Sequence, residues 1–172
     1  MKIYIILLIF LLTTNVNAQE ILGVSFGQNY NTVKSILRKK YGGKVTDDID
    51  EGYNKYISIE DITFGGIKFD KVGFSFKYAD KTSKFDFVMF QARYGNNSYD
   101  CADTDMDKLL EFVERKYGEL YPSKNDDYIR YVEFGEMPKY KYLHIGAVGI
   151  KKTTGLNGMT NYHLVFLSGT IE

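Results

Sequence analysis

The chain has 172 residues with 22 basic and 22 acidic side chains, 44% hydrophobic residues, 15 Tyr, 12 Phe and no Trp. A balanced charge leaves no electrostatic footprint for nucleic acid or for an anionic membrane surface, and the apolar fraction suffices for a globular core. The single cysteine, Cys101, cannot close an internal disulfide, so the fold has to be held by its core alone.

In chain order the first element is an apolar run, Ile3 to Leu12, led by Lys2 and stopped at Thr13-Thr14. Val16-Asn17-Ala18 follows with the small residues of a signal-peptidase site. The run is short of the roughly 20 residues a membrane-spanning helix needs. We therefore expect residues 1–18 to be a signal peptide cut after Ala18. The product would be a 154-residue periplasmic or secreted chain with no membrane span. Lys2 is the only charged residue removed, which leaves 21 basic against 22 acidic residues.

Tyr30 to Tyr41 has apolar positions at 30, 33, 36, 37 and 41, one helical stripe, with Asn29 as N-cap and Gly42 as the terminating residue. Alternation with period two predicts strands over Tyr56 to Phe64, Ile67 to Tyr78 and Phe85 to Tyr94. Gly65-Gly66 suits a tight hairpin turn, and Asp70-Lys71 breaks the alternation as a bulge would. Gly95 to Ala102 reads as a mobile loop. A second helix is expected over Met106 to Tyr117, capped within Asp103-Thr104-Asp105 and ended by Gly118. The segment Tyr121 to Asp127 again reads as mobile, before strands over Tyr128 to Phe134, Leu143 to Ile150 and Tyr162 to Thr170.

An offset of 76 lays Tyr41-Gly42 on Tyr117-Gly118, Val72 and Phe74 on Val148 and Ile150, and Val88 and Phe90 on Leu164 and Phe166. The expected fold class is therefore α+β: a tandem repeat of a helix followed by about three antiparallel strands, with the helices packed on one face of the sheet. The first α-β repeat would span 19–98 and the second 99–172, within one compact domain. Phe26-Gly27-Gln28-Asn29-Tyr30-Asn31-Thr32-Val33, with Leu37 and Tyr41-Gly42, resembles the start of the repeat in β-lactamase-inhibitor-like and BamE-like (outer-membrane assembly lipoprotein) domains. The chain departs from them in having no lipid-attachment cysteine and no cysteine pair in either half. What the resemblance implies is a non-catalytic domain that binds another protein through its sheet.

Several arrangements bear on chemistry. Gly23-Val24-Ser25-Phe26-Gly27 matches the G-x-S-x-G elbow of serine hydrolases, but no βαβ pattern surrounds it. Asp103-Thr104-Asp105-Met106-Asp107 has the start of a calcium loop, with Lys108 where such a loop needs glycine. Cys101, set among Asp100, Asp103 and Asp105, reads as a partly buried free thiol. His144 and His163 are too few for a usual zinc site and fall on opposite faces of the expected sheet. No phosphate loop or dinucleotide motif occurs, and neither metal nor cofactor is expected.

The sheet's second face is the more informative feature. If Val72, Phe74, Phe76, Val88, Phe90, Leu164 and Phe166 face the helices, then Phe85, Phe87, Met89, Gln91, Arg93, Leu143, Ile145, His163, Val165 and Leu167 face away, with Tyr131 beside them. Aromatics, Met and Arg are the residues that anchor interfaces. The expected function is that of an exported, non-catalytic module that binds a protein through Phe85, Phe87, Met89, Arg93, Tyr131 and His163. The alternatives are an exported hydrolase using Ser25 or Cys101, and a carbohydrate-binding module using a row of exposed tyrosines.

Overall fold

The computed structural model describes residues 20–49, 55–76, 83–95, 98–135, 143–155 and 158–171. The expected signal peptide and its cleavage point lie outside them. The chain starts with a small ribbon, β1 (Glu20–Ile21) and β2 (Val24–Ser25), turned by Leu22 and Gly23 at φ 56° and 93°. Helix α1 (Tyr30–Tyr41) follows, and the Thr32 N–H donates to Asn29 Oδ1 at 2.9 Å as the N-cap requires. Gly42 ends it in the left-handed region, at φ 59°.

One antiparallel sheet contains the remaining strands: β3 (Val45–Ile49), β4 (Lys55–Phe64), β5 (Ile67–Phe76), β6 (Phe85–Tyr94), β7 (Leu120–Pro122), β8 (Arg130–Phe134), β9 (Leu143–Thr154) and β10 (Thr160–Ile171). Helix α2 (Tyr99–Tyr117) lies between β6 and β7 in the chain. Across the sheet the order is β3-β4-β5-β6-β10-β9-β8-β7. Gly65-Gly66 makes the expected two-residue turn, with Phe64 paired to Ile67 and both glycines at positive φ.

The expected tandem repeat of a helix and about three strands is not what the chain forms. The described residues build a single eight-stranded sheet, in which β6 and β10 pair side by side at the centre. The helices have 12 and 19 residues, and four strands of unequal length follow each. The offset of 76 matched apolar spacing, which helices and strands share whenever they bury one face. Two of the strands escaped the sequence reading because they lie at the sheet edges. Strand β3 reads Val-Thr-Asp-Asp-Ile, and its Asp47 is held by Lys34 and Arg38 of α1. Strand β7 ends at Pro122. Charge and proline are how exposed sheet edges are kept from pairing further, and they hide the alternation.

Helix α2 begins seven residues earlier than its expected start at Met106. Ala102 is buried, and the Tyr99 ring meets Tyr162 edge-on at 5.5 Å, so the apolar stripe already holds the helix at 99 and 102. Residues 99–102 are therefore helical rather than part of a loop. Asp103 and Asp105 are not caps but lie along the helix. Asp103 accepts from Arg130 at 2.8 Å, and Asp105 accepts from Tyr94 Oη at 2.8 Å and Lys108 at 2.9 Å.

The core lies between the helices and one sheet face. Val33 and Leu37 of α1 enter it, as do Met106, Leu109 and Val113 of α2. At its centre Phe166 touches Phe90 (5.2 Å between centroids), Phe64 (5.3 Å), Phe134 (5.6 Å, parallel) and Tyr117 (6.2 Å). The alternation breaks together on two strands. Glu60-Asp61 of β4 and Asp70-Lys71 of β5 are all exposed, with Asp61 at φ 52°. The register survives, since Ile59 still pairs with Val72 and Ile62 with Phe69.

Burial and the hydrogen bond to Asp105 raise the pKa of Tyr94, and burial raises that of Tyr117. The folded state therefore keeps protons that an unfolded tyrosine releases near pH 10. Stability from these groups is complete below that pH and declines as the pH rises through it. We expect the melting temperature to fall above pH 10, with the buried tyrosinate absorbance appearing only as the fold is lost. Full tyrosine ionisation at pH 11 with an intact far-UV spectrum would contradict this.

Candidate functional site

The helices cover one side of the sheet, and the candidate site is the other. Cross-strand register arranges it in rows. Gly73, Met89, Leu167, Ala147 and Glu133 form one row, and Lys71, Gln91, Val165, Gly149 and Tyr131 the next. Arg93, His163 and Lys151 form a third. Phe87 lies beyond Met89, opposite Gly169, where a Cβ would come within 3.0 Å of its ring. The glycine thus leaves room for the Phe87 ring to lie across β10.

Of the six expected contact residues, the structure brings five to this face and removes one. Phe87 and Met89 are 37% and 42% exposed, and Arg93 is exposed as well. Phe85 is sealed in the core at 1% exposure, stacked on Phe26 at 4.5 Å and packed near Phe74 and Phe76. The reason is a bulge. Phe76 pairs with Phe85 while Ser75 pairs with Phe87, which leaves Asp86 as an extra residue that flips the parity of everything before it. Tyr131 is half-buried, its ring tilted against Tyr128 at 5.0 Å, and both rings fill the space above Gly149. Val165 and Ala147 face the same way but are covered by their neighbours. The side chains of Leu143, His144 and Ile145 lie outside the described residues.

His163 is half-buried with both ring nitrogens engaged. Gln91 Nε2 donates to its Nδ1 at 2.9 Å, so the ring proton sits on Nε2 and is donated to Thr153 Oγ1 at 2.9 Å. Burial lowers its pKa, and the charges of Arg93 and Lys151 push the same way against the opposing field of Asp70. The imidazole is a neutral, satisfied group at pH 7. Thr153 was missed because the expected strand stopped at Ile150. The signal was present in the continuing alternation through Lys151 to the β-branched pair Thr153-Thr154.

Around His163 the face sinks into a shallow depression of about 320 Å³ lined by Met89, Gln91, Tyr128, Lys151, Thr153, His163 and Val165. Lys151 Nζ stands 3.9 Å from the Asp127 carboxylate and 6.0 Å from the Tyr128 ring centre. The Arg93 guanidinium donates to Asn161 Oδ1 at 3.2 and 3.4 Å, and the Arg93 backbone N–H donates to Asp70 Oδ2 at 2.6 Å.

The other chemistry-bearing candidates lie apart from this face and from one another. Ser25 belongs to the two-residue strand β2, paired antiparallel to Glu20, and its N–H donates to Gln28 Oε1. No parallel sheet carries it, so the elbow geometry is missing. Cys101 is exposed in the first turn of α2 rather than partly buried. Among the described residues no three His, Cys, Asp or Glu side chains come together as metal ligands, and the aspartates of the calcium-like run are taken by Arg130, Lys108 and Tyr94. His144 and His163 occupy positions seven residues apart along β9, His163 being opposite Lys151, a separation of roughly 23 Å. No helix among the described residues is long and apolar enough to cross a membrane. Comparison of the chain with protein-family models, with curated proteins and with solved structures returned no match.

Proposed function

We propose that the chain is an exported, non-catalytic interaction module that docks a protein on the helix-free face of its sheet. The observation that carries this reading is the pair Phe87 and Met89, exposed side by side in the middle of the sheet and flanked by Leu167 and Val165. Large apolar side chains grouped on an open face cost less when a partner covers them, and an aromatic with Met and Arg at its side is the usual make-up of an interface core. Arg93, His163 and Tyr131 form the rim. Protein binding through a sheet is also what the family resemblance implies.

The rival readings find less support. Ser25 lies on the helix side of the molecule, whereas His163 lies on the opposite face with both nitrogens occupied. Tyr128 and Tyr131 pack against each other rather than standing in an exposed row.

Affinity capture from an envelope extract with the mature chain should recover a protein that Phe87→Asp loses by about tenfold or more. Because Phe87 is a surface side chain, the variant should keep the parent far-UV spectrum. Equal recovery by both chains would overturn the proposal.

A further inference from the structure

We infer that the depression over His163 is the subsite for a carboxylate side chain of that protein partner, received between the Arg93 guanidinium and the Lys151 ammonium while an adjoining apolar side chain rests on Met89 and Phe87. The inference rests on the docking face proposed above and specifies the chemistry of what docks there.

Three observations carry it. The first is placement. Cross-strand pairing sets Arg93 and Lys151 on either side of His163, and Lys71 opposes Gln91 in the adjoining row, so three cations from three strands ring one end of the face. The second is how loosely the two nearer cations are matched. Among the described residues the Arg93 guanidinium donates to the neutral amide oxygen of Asn161 and to no carboxylate, while Asp70 Oδ2 accepts from the Arg93 backbone N–H. Lys151 meets Asp127 at 3.9 Å, beyond hydrogen-bond length, through an aspartate side chain that is 73% exposed and free to be displaced. The third is the contrast along the face. The cations end where Met89 and Phe87 begin, and Glu133 lies at the far end of the Met89 row, on β8. A small free anion would meet the cations but leave the apolar shelf bare. A carboxylate carried on a protein segment beside an apolar residue fills both.

Burial first, then the charge of Arg93 and less that of Lys151, hold the His163 imidazole low, opposed by Asp70. Among the described residues Asp127 faces Lys151 and Lys71 lies opposite Gln91 as the other charges beside the depression, and Gln91, Thr153 and Tyr128 are its polar walls. A carboxylate seated between the cations offsets their field, so binding raises the His163 pKa and strengthens as the pH falls.

The test uses random peptides displayed against the mature chain at low ionic strength, with Phe87→Asp as the counter-screen. Binders lost on Phe87→Asp should carry Asp or Glu next to an apolar residue. Their synthetic forms should weaken about tenfold or more on the pair Arg93→Glu with Lys151→Glu, and equally when the peptide carboxylate is made an amide. Arg93→Gln with Lys151→Gln replaces the first pair if it fails to fold. The His163 ring resonance should titrate at higher pH in the saturated complex. Phe87-dependent binders without a carboxylate, or binders indifferent to the charge variants, overturn the subsite and leave the docking face standing. If no binder depends on Phe87, the docking face falls and the subsite with it.

Discussion

Replacing Phe166 with alanine should destabilise the fold by about 4 kcal/mol. Phe166 is fully buried at the centre of β10 and touches four aromatic rings, from β4 (Phe64), β6 (Phe90), β8 (Phe134) and the end of α2 (Tyr117). Each of those rings is pinned by others. Phe64 packs on Phe90 and Phe112, Phe90 on Phe69, and Phe134 on Tyr117. The cavity left by the ring can therefore collapse little, and the loss should include both the transfer of the ring and most of the cavity term. Urea denaturation would measure it. Phe166→Leu, which keeps most of the volume, should lose about 1.5 kcal/mol. A loss below 2 kcal/mol for the alanine variant would show that the aromatic cluster rearranges freely and is not the centre of the fold.

Gly146→Ala should cost about 3 kcal/mol, a large effect for the addition of one methyl group. Gly146 pairs with Phe134 across β8 and β9, and a Cβ there would overlap the Phe134 ring. The backbone at Gly146 is not in the left-handed region, so the penalty is steric rather than conformational. Phe134 cannot step aside, because one side of its ring is stacked on Phe166 and it also stacks with Tyr117 at 5.6 Å. The pairing supplies its own control. In a Phe134→Leu background the alanine should cost much less, giving a coupling energy of at least about 1 kcal/mol in a double-mutant cycle. Additive losses would mean that the overlap is relieved elsewhere.

The sequence was most readable where one local rule dominated. Asn29 and Gly42 bracket α1, Gly65-Gly66 turns the β4–β5 hairpin, and Gly118 ends α2, because a cap or a positive φ demands particular residue types. The outward position of Phe87, Met89 and Arg93 was legible from alternation alone. Phe85 was not. The bulge at Asp86 depends on where β5 ends opposite β6, and nothing within Phe85-Asp86-Phe87 announces it. The early start of α2 was hidden for a related reason, since Tyr99 and Ala102 hold the helix through contact with β10 and the core rather than by local propensity. The Gln91–His163–Thr153 chain joins residues 72 and 10 positions apart, and only the pairing of three strands brings them together.

The place of β10 has a consequence for how the molecule comes into being. It is the last described strand in the chain, yet it sits between β6 and β9 in the middle of the sheet. A polypeptide delivered from its amino end would present β3 to β6 with one long side unsatisfied, and β7 to β9 with another, until β10 arrived to join them. Closure must wait for contacts between residues 85–94 and 160–171, so assembly should be slow for the chain's size and a premature stop should leave sticky, half-built pieces. A holdase that shields such an intermediate would be expected to favour the span before residue 160 over the folded chain.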